Sequence, residues 1–195
     1  MIRIGIIGDI GSGKSYVAKS FGYPVFNADQ EVSKLYKNNK KIFKSLNKLI
    51  PEYIVSFPID KKEISKAILA NQVNLTKIIK IVHKEIRKKM NLFLIKNKNK
   101  KIIILDIPLL LENKINNKKD FIVFVDSQKS KIKKRLKKRL NFNSKLFKKF
   151  KKIQLPIDYK KRKANFIIKN DFTETSVKIG IKKVIEEVNK WKKLF

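Results

Sequence analysis

Residues 8–15 read GDIGSGKS, set between the apolar run IRIGII and the segment YVAKSF. With Gly8, Gly13, Lys14 and Ser15 at fixed offsets, the stretch fits G-x-x-x-x-G-K-[ST], a pattern that is meaningful only after a strand and before a helix. Both flanks meet that condition. Glycines let the main chain curl until successive N–H groups converge on an anion, and the helix that follows adds the positive end of its dipole. The loop is therefore expected to hold the phosphates of a nucleoside triphosphate. Lys14 would reach the β and γ phosphates, and the Ser15 hydroxyl would ligate Mg²⁺. A glycine-rich turn that merely joins strand to helix requires neither residue.

Four apolar runs, IRIGIIG, KIIILDIP, DFIVFVDS and NFIIKN, the first two rich in isoleucine, are bounded by Gly, Pro or polar residues. Such continuous apolar runs suit strands of a parallel sheet covered on both faces. A short PVF at 24–26 predicts a further strand. The stretches between them carry helical spacing, as in Ile78, Ile79, Val82, Ile86 and Met90, followed by Phe93 and Leu94. Strands alternating with helices imply βαβ units and a three-layer α/β/α sandwich. The spacing is uneven, because residues from about 30 to 99 show only helical patterns and loops. That segment reads as an insertion beside the sheet, suited to binding an acceptor. A second helical stretch, about 128–164, is dense in Lys and Arg and reads for the most part as a solvated helix pair.

Phosphoryl transfer needs a metal-linked carboxylate, cations around the transferring group and a group that orients the nucleophile. Asp106 closes the strand KIIILD, where a carboxylate would face a metal ion, directly or through water; capping of the next turn is the alternative. Asp29 in VFNADQEV follows the short second strand. It either accepts a hydrogen bond from an acceptor hydroxyl or caps the helix after it. Position alone leaves both readings open.

Forty-nine Lys and Arg against 16 Asp and Glu give a formal net charge of +33. The lysines are scattered over almost every polar position, accompanied by many Asn and Ile, residues that share A/T-rich codons. A nucleic-acid surface would concentrate charge in a stripe and interleave aromatics, so no specific nucleic acid is expected. There is no cysteine, hence no disulfide or thiolate metal site. No run approaches the ~20 apolar residues of a membrane span, and no leader pattern opens the chain. A single-domain cytoplasmic protein without membrane contact is expected, as a monomer or small homo-oligomer.

Taken together, the motifs resemble one family, the dephospho-coenzyme A kinases. GDIGSGKSYVAKSFG is similar to that family's phosphate loop and first helix, VFNADQEV to its DAD motif, and VHKEIRKKM to its HPxIR helix. LDIPLLLEN resembles its D-x-P-L-L-F-E segment, and QLPIDYKKRKANFIIKN aligns without a gap with its closing motif. The resemblance implies ATP-dependent phosphorylation of the ribose 3′-hydroxyl of dephospho-coenzyme A, the last step of coenzyme A synthesis. It also implies a P-loop NTPase fold like that of nucleoside monophosphate kinases. The core would comprise about 1–29, 100–127 and 165–195, with a coenzyme-binding insertion at 30–99 and a lid at 128–164.

Carried over by residue, Gly11, Ser12, Gly13, Lys14, Ser15 and Tyr16 would contact ATP phosphates, and Asn170 would lie by the adenine end. Asp29 would act on the acceptor hydroxyl. His83 and Arg87 would face the acceptor, Leu109, Leu110 and Glu112 would shape its pocket, and Arg139 would close over the transferring phosphoryl group. Several positions depart from the family pattern. Asp9 stands where glycine is usual, Asn27 replaces the first Asp of DAD, Lys84 the proline of HPxIR, and Asn165 an aspartate. Phe150 takes the place of a lid arginine, which leaves Lys149 or Lys151 as substitutes. A nucleoside or nucleoside monophosphate as acceptor, and a nucleic-acid-binding module with a regulatory phosphate loop, are the competing readings.

Overall fold

The computed structural model describes residues 1–139 and 142–192. In chain order its elements are β1 (Ile2–Gly8), α1 (Lys14–Ser20), β2 (Val25–Asn27), α2 (Ala28–Asn38), α3 (Lys40–Leu49), α4 (Lys61–Ala70) and α5 (Gln72–Lys96). There follow β3 (Ile102–Asp106), β4 (Phe121–Asp126), α6 (Lys129–Lys137), α7 (Ser144–Lys152), α8 (Ile157–Lys163), β5 (Phe166–Lys169) and α9 (Glu174–Lys192). Two compact units emerge: 1–27, 97–142 and 150–195 form one, and 28–96 with 143–149 the other.

The first unit is built on a five-stranded sheet in the order β2-β3-β1-β4-β5, and every pairing is parallel. Alternation along the strands sends side chains to two apolar faces. Ile4, Ile6, Ile102, Ile104, Phe121, Val123 and Val125 join Val17, Ala18 and Phe21 of α1 and Val177, Val184 and Val188 of α9 in one core cluster. On the opposite face Ile103, Leu105, Ile122 and Phe124 are also buried. There Leu110 fills the space over Gly5, whose missing Cβ would stand 2.6 Å from Leu110 Cδ2. Burial on both faces explains why the strand sequences are apolar without interruption.

The short second strand begins one residue later than PVF suggests. Pro24 has no N–H for the ladder, and pairing to β3 runs from Val25↔Ile104 to Asn27↔Asp106. That register brings Asn27 beside the last residue of β3. Since β1 lies between β3 and β4, the glycine-rich loop leaves the central strand of the sheet. It emerges at the carboxyl end, where open parallel sheets bind ligands.

The second unit is helical. Its longest member, α5, buries Leu75, Ile78, Val82, Ile86 and Met90, a spacing of three and four residues that marks one apolar face. The helices α2, α3 and α4 pack against it. Asn39 caps α3 by accepting the Ile42 N–H, and Asp60 caps α4 by accepting the Lys62 N–H. Each cap satisfies a main-chain donor that the first helical turn leaves unpaired.

Candidate active site

The loop from Gly8 to Ser15 is held from behind by side chains far away in sequence. The Ser12 carbonyl accepts from Asn170 Nδ2 at 2.9 Å and from Ser127 Oγ at 3.0 Å. Asn170 is itself 3 % exposed, its N–H donates to the Asp126 carbonyl at 2.7 Å, and its Oδ1 accepts the Phe172 N–H. The ends of β4 and β5 thus clamp the loop at one peptide group. Gly13 has φ 90° and precedes α1. A Cβ there would lie 2.5 Å from Asn170 Nδ2, so both backbone and space call for glycine.

Within this frame Lys14 Nζ donates to the main-chain carbonyls of Asp9 at 2.7 Å and Gly8 at 3.3 Å. Its ammonium therefore rests on the loop it serves. Ser15 and Tyr16 open α1 on its exposed side. Asp106, 3 % exposed, accepts from Asn27 Nδ2 at 2.5 Å. An aspartate at position 27 would set two carboxylates side by side, whereas the amide donates a hydrogen bond to Asp106. Among the described residues no group of three or more His, Asp or Glu could hold a metal ion. Mg²⁺ keeps several waters and takes one or two protein oxygens together with phosphate oxygens. The Ser15 hydroxyl and the Asp106 carboxylate, both belonging to the loop end of the sheet, are oxygen donors of the required kind.

Three residues of the expected set make defined contacts within the chain. Leu110 is 1 % exposed and belongs to the sheet's core, packed over Gly5. Glu112 Oε1 pairs with Lys160 Nζ at 2.8 Å, with side chains 8 % and 3 % exposed, and also accepts the Leu155 N–H. That carboxylate fastens the turn after β3 to the start of α8. Asn170 is buried against the loop's main chain and offers its amide to Ser12. Leu109 holds φ 58° in the same turn after β3. Arg139 is exposed just beyond α6. Ser127, which sequence reading missed, carries no local pattern that would single it out.

Asp29, His83 and Arg87 belong to the second unit. Asp29 is exposed in the first turn of α2, which begins at Ala28, so it is not the cap of that helix. A carboxylate in the first turn is favoured by the helix dipole. His83 and Arg87 stand one turn apart on α5. Burial, and then the Arg87 charge, hold the His83 imidazole below its ordinary value of 6.5. His83 is the chain's single histidine, and at neutral pH it is an uncharged donor and acceptor beside a fixed cation.

A parallel sheet ordered 2-3-1-4-5, with a lysine-bearing phosphate loop leaving its central strand and a carboxylate ending the strand beside it, defines a P-loop kinase. Residues 2–175 match the family described as dephospho-CoA kinase. A dephospho-CoA kinase from Wolbachia pipientis wMel is 34 % identical over 191 residues, covering 95 % of this chain and 97 % of that protein. A solved structure from Thermus thermophilus superposes with a TM-score of 0.74 at 25 % identity, covering 95 % and 97 % of the two chains. The fold of dephospho-CoA kinase from Campylobacter jejuni matches with a TM-score of 0.62 at 23 % identity, covering 95 % and 96 %. The chain belongs to the dephospho-CoA kinase family, and its reaction is the ATP-dependent phosphorylation of dephospho-coenzyme A in coenzyme A synthesis.

Proposed function

We propose that the acceptor is the 3′-hydroxyl of the ribose of dephospho-coenzyme A and that the phosphate loop, Lys14 and Asp29 carry the transfer. The observation that supports this reading is the loop itself, clamped at Ser12 by Asn170 and Ser127 with Lys14 lying on its carbonyls. Main-chain N–H groups would take the β phosphate, and Lys14 would leave the Asp9 carbonyl for the β and γ phosphate oxygens. The acceptor oxygen then bonds to the γ phosphorus as the bond to the β–γ bridging oxygen breaks, giving ADP. Asp29 orients the acceptor hydroxyl and takes its proton. Mg²⁺, held by Ser15 and, directly or through water, by Asp106, would neutralise charge on the phosphates. In such a loose transition state positioning and charge compensation supply most of the rate.

In this reading residues 30–99 serve the acceptor, with His83 and Arg87 facing its anionic groups, and Tyr16 flanks the nucleotide. The stretch 128–164, including Arg139, covers the transferring group. The enzyme works in the cytoplasm as a monomer or small homo-oligomer. No helix among the described residues is long and apolar enough to cross a membrane.

The test is ADP release from Mg·ATP with dephospho-coenzyme A, with a nucleoside monophosphate as control acceptor and product analysis for the 3′-phosphate. Stimulation by dephospho-coenzyme A alone is expected. Phosphate at another hydroxyl would overturn the regiochemistry. Asp29→Asn should lower kcat about 10²-fold or more with ATP binding kept; an unchanged kcat removes Asp29 from the chemistry.

A further inference from the structure

A carboxylate in a loop built for a triphosphate should repel its ligand, yet Asp9 lies between Gly8 and Gly11. The structure supplies the compensation. Asp9 Oδ1 accepts the Ile10 N–H at 2.7 Å and pairs with Lys151 Nζ at 2.5 Å, with side chains 16 % and 40 % exposed. Its main-chain carbonyl accepts from Lys14 Nζ at 2.7 Å. Asp9 therefore gathers two ammonium groups at the loop, one on its carbonyl and one on its carboxylate. Lys151 comes from the last turn of α7, 142 residues away in sequence.

The neighbours of Lys151 are otherwise engaged or of the wrong kind. Lys149 Nζ donates to the carbonyls of Ile68 at 2.6 Å and Leu69 at 3.2 Å, so it closes the carboxyl end of α4. Phe150 has no charge. An ammonium has three N–H donors, and Lys151 uses one of them on Asp9. The carboxylate cannot swing away without giving up the Ile10 N–H, so it fixes where the ammonium stands.

We propose that Lys151 binds the nucleotide's phosphates and that Asp9 positions it, the two forming a bridge from loop to ligand. Asp9 is tolerated in the loop because Lys151 neutralises it. Lys151 is placed by Asp9 without help from the metal ion. The proposal rests on ATP as the donor, and equilibrium binding of ATP by the wild-type protein tests that premise separately.

The experiment is a double-mutant cycle with Lys151→Met, which keeps most of the stem, and Asp9→Asn, which keeps an acceptor for the Ile10 N–H. ATP affinity is titrated with and without Mg²⁺ at low and high salt, and circular dichroism checks folding. Lys151→Met alone leaves Asp9 unpaired against the phosphates. It should weaken ATP about tenfold, and less so at high salt. Adding Asp9→Asn removes the repulsion but not the lost contact, so the double variant should bind better than Lys151→Met and still about threefold more weakly than wild type, and Lys151→Arg should retain affinity. Unchanged affinity in Lys151→Met, a double variant no better than that single variant, or a double variant equal to wild type, which would leave Lys151 only the neutralisation of Asp9, would overturn the proposal. A pair with a purely structural role would lower thermal stability and leave ATP affinity where it was.

Discussion

Gly13 and Asn170 are a matched pair in which a main-chain conformation and a buried amide depend on one another. At φ 90° a side chain is strained whatever the space, and here a Cβ would also meet Asn170 Nδ2 at 2.5 Å. Gly13→Ala should cost about 2 kcal/mol or more of stability, read as a fall in denaturant midpoint. It should weaken ATP as well, since the displaced amide releases the Ser12 carbonyl. His83 gives a pH signature at the same scale. Its folded value lies below the ordinary one because of burial and Arg87, so the unfolded chain binds the proton more tightly. Its contribution to stability is complete above about pH 6.5 and is lost as pH falls through the folded value. With a single histidine in the chain, His83→Gln should remove that step from a plot of Tm against pH between 5 and 7.5. An identical step in the variant would assign it to carboxylates.

At the scale of elements, the strands were legible because a sheet covered on both faces demands unbroken apolar runs, which Ile102–Leu105 and Phe121–Val125 supply. Gly8, Gly13, Lys14 and Ser15 stood out because the phosphate-loop pattern requires those residue types at those offsets, whereas Gly11 and Ser12 came from resemblance. What local pattern could not give is pairing at long range. The clamp of Ser127 on Ser12 spans 115 residues, and Glu112 reaches Leu155 and Lys160 across α8's approach to the sheet. Resemblance implies Leu110 and Glu112 at the acceptor pocket, and what it could not give is that Leu110 packs over Gly5 and Glu112 forms a buried ion pair. Breaking such a pair strands the remaining charge away from water. Glu112→Gln should destabilise by about 3 kcal/mol, measured by denaturant unfolding, with the KM for dephospho-coenzyme A little changed. A large KM effect at unchanged stability would return Glu112 to the acceptor site. The double change Glu112→Leu with Lys160→Met should recover part of the lost stability, because it leaves no unpaired buried charge.

For the whole molecule, a net charge of +33 must go somewhere. The helices show where: α6 buries only Ile132 and Leu136 of its nine residues, and α8 buries only Lys160 of its seven. The remaining Lys and Arg of both helices lie at or near the surface, some with partners there: Lys161 pairs with Asp126 at 3.1 Å and Arg135 lies over the Phe172 ring. The buried Lys160 has Glu112 beside it, and Lys151, half-buried, has Asp9 at the phosphate loop. Surface cations of this density attract any polyanion through release of its counterions, without reading sequence. Duplex DNA should therefore bind at 50 mM salt with no sequence preference. If six or more phosphates are neutralised, affinity should fall about 10³-fold by 200 mM, measured by fluorescence anisotropy against salt. Saturating Mg·ATP should leave that slope unchanged, because the ligand reaches the loop and not the outward faces of α6 and α8. A shallow slope with a preferred sequence would instead mark a built nucleic-acid surface, and the scattered lysines would then need a second explanation beyond the composition of the chain.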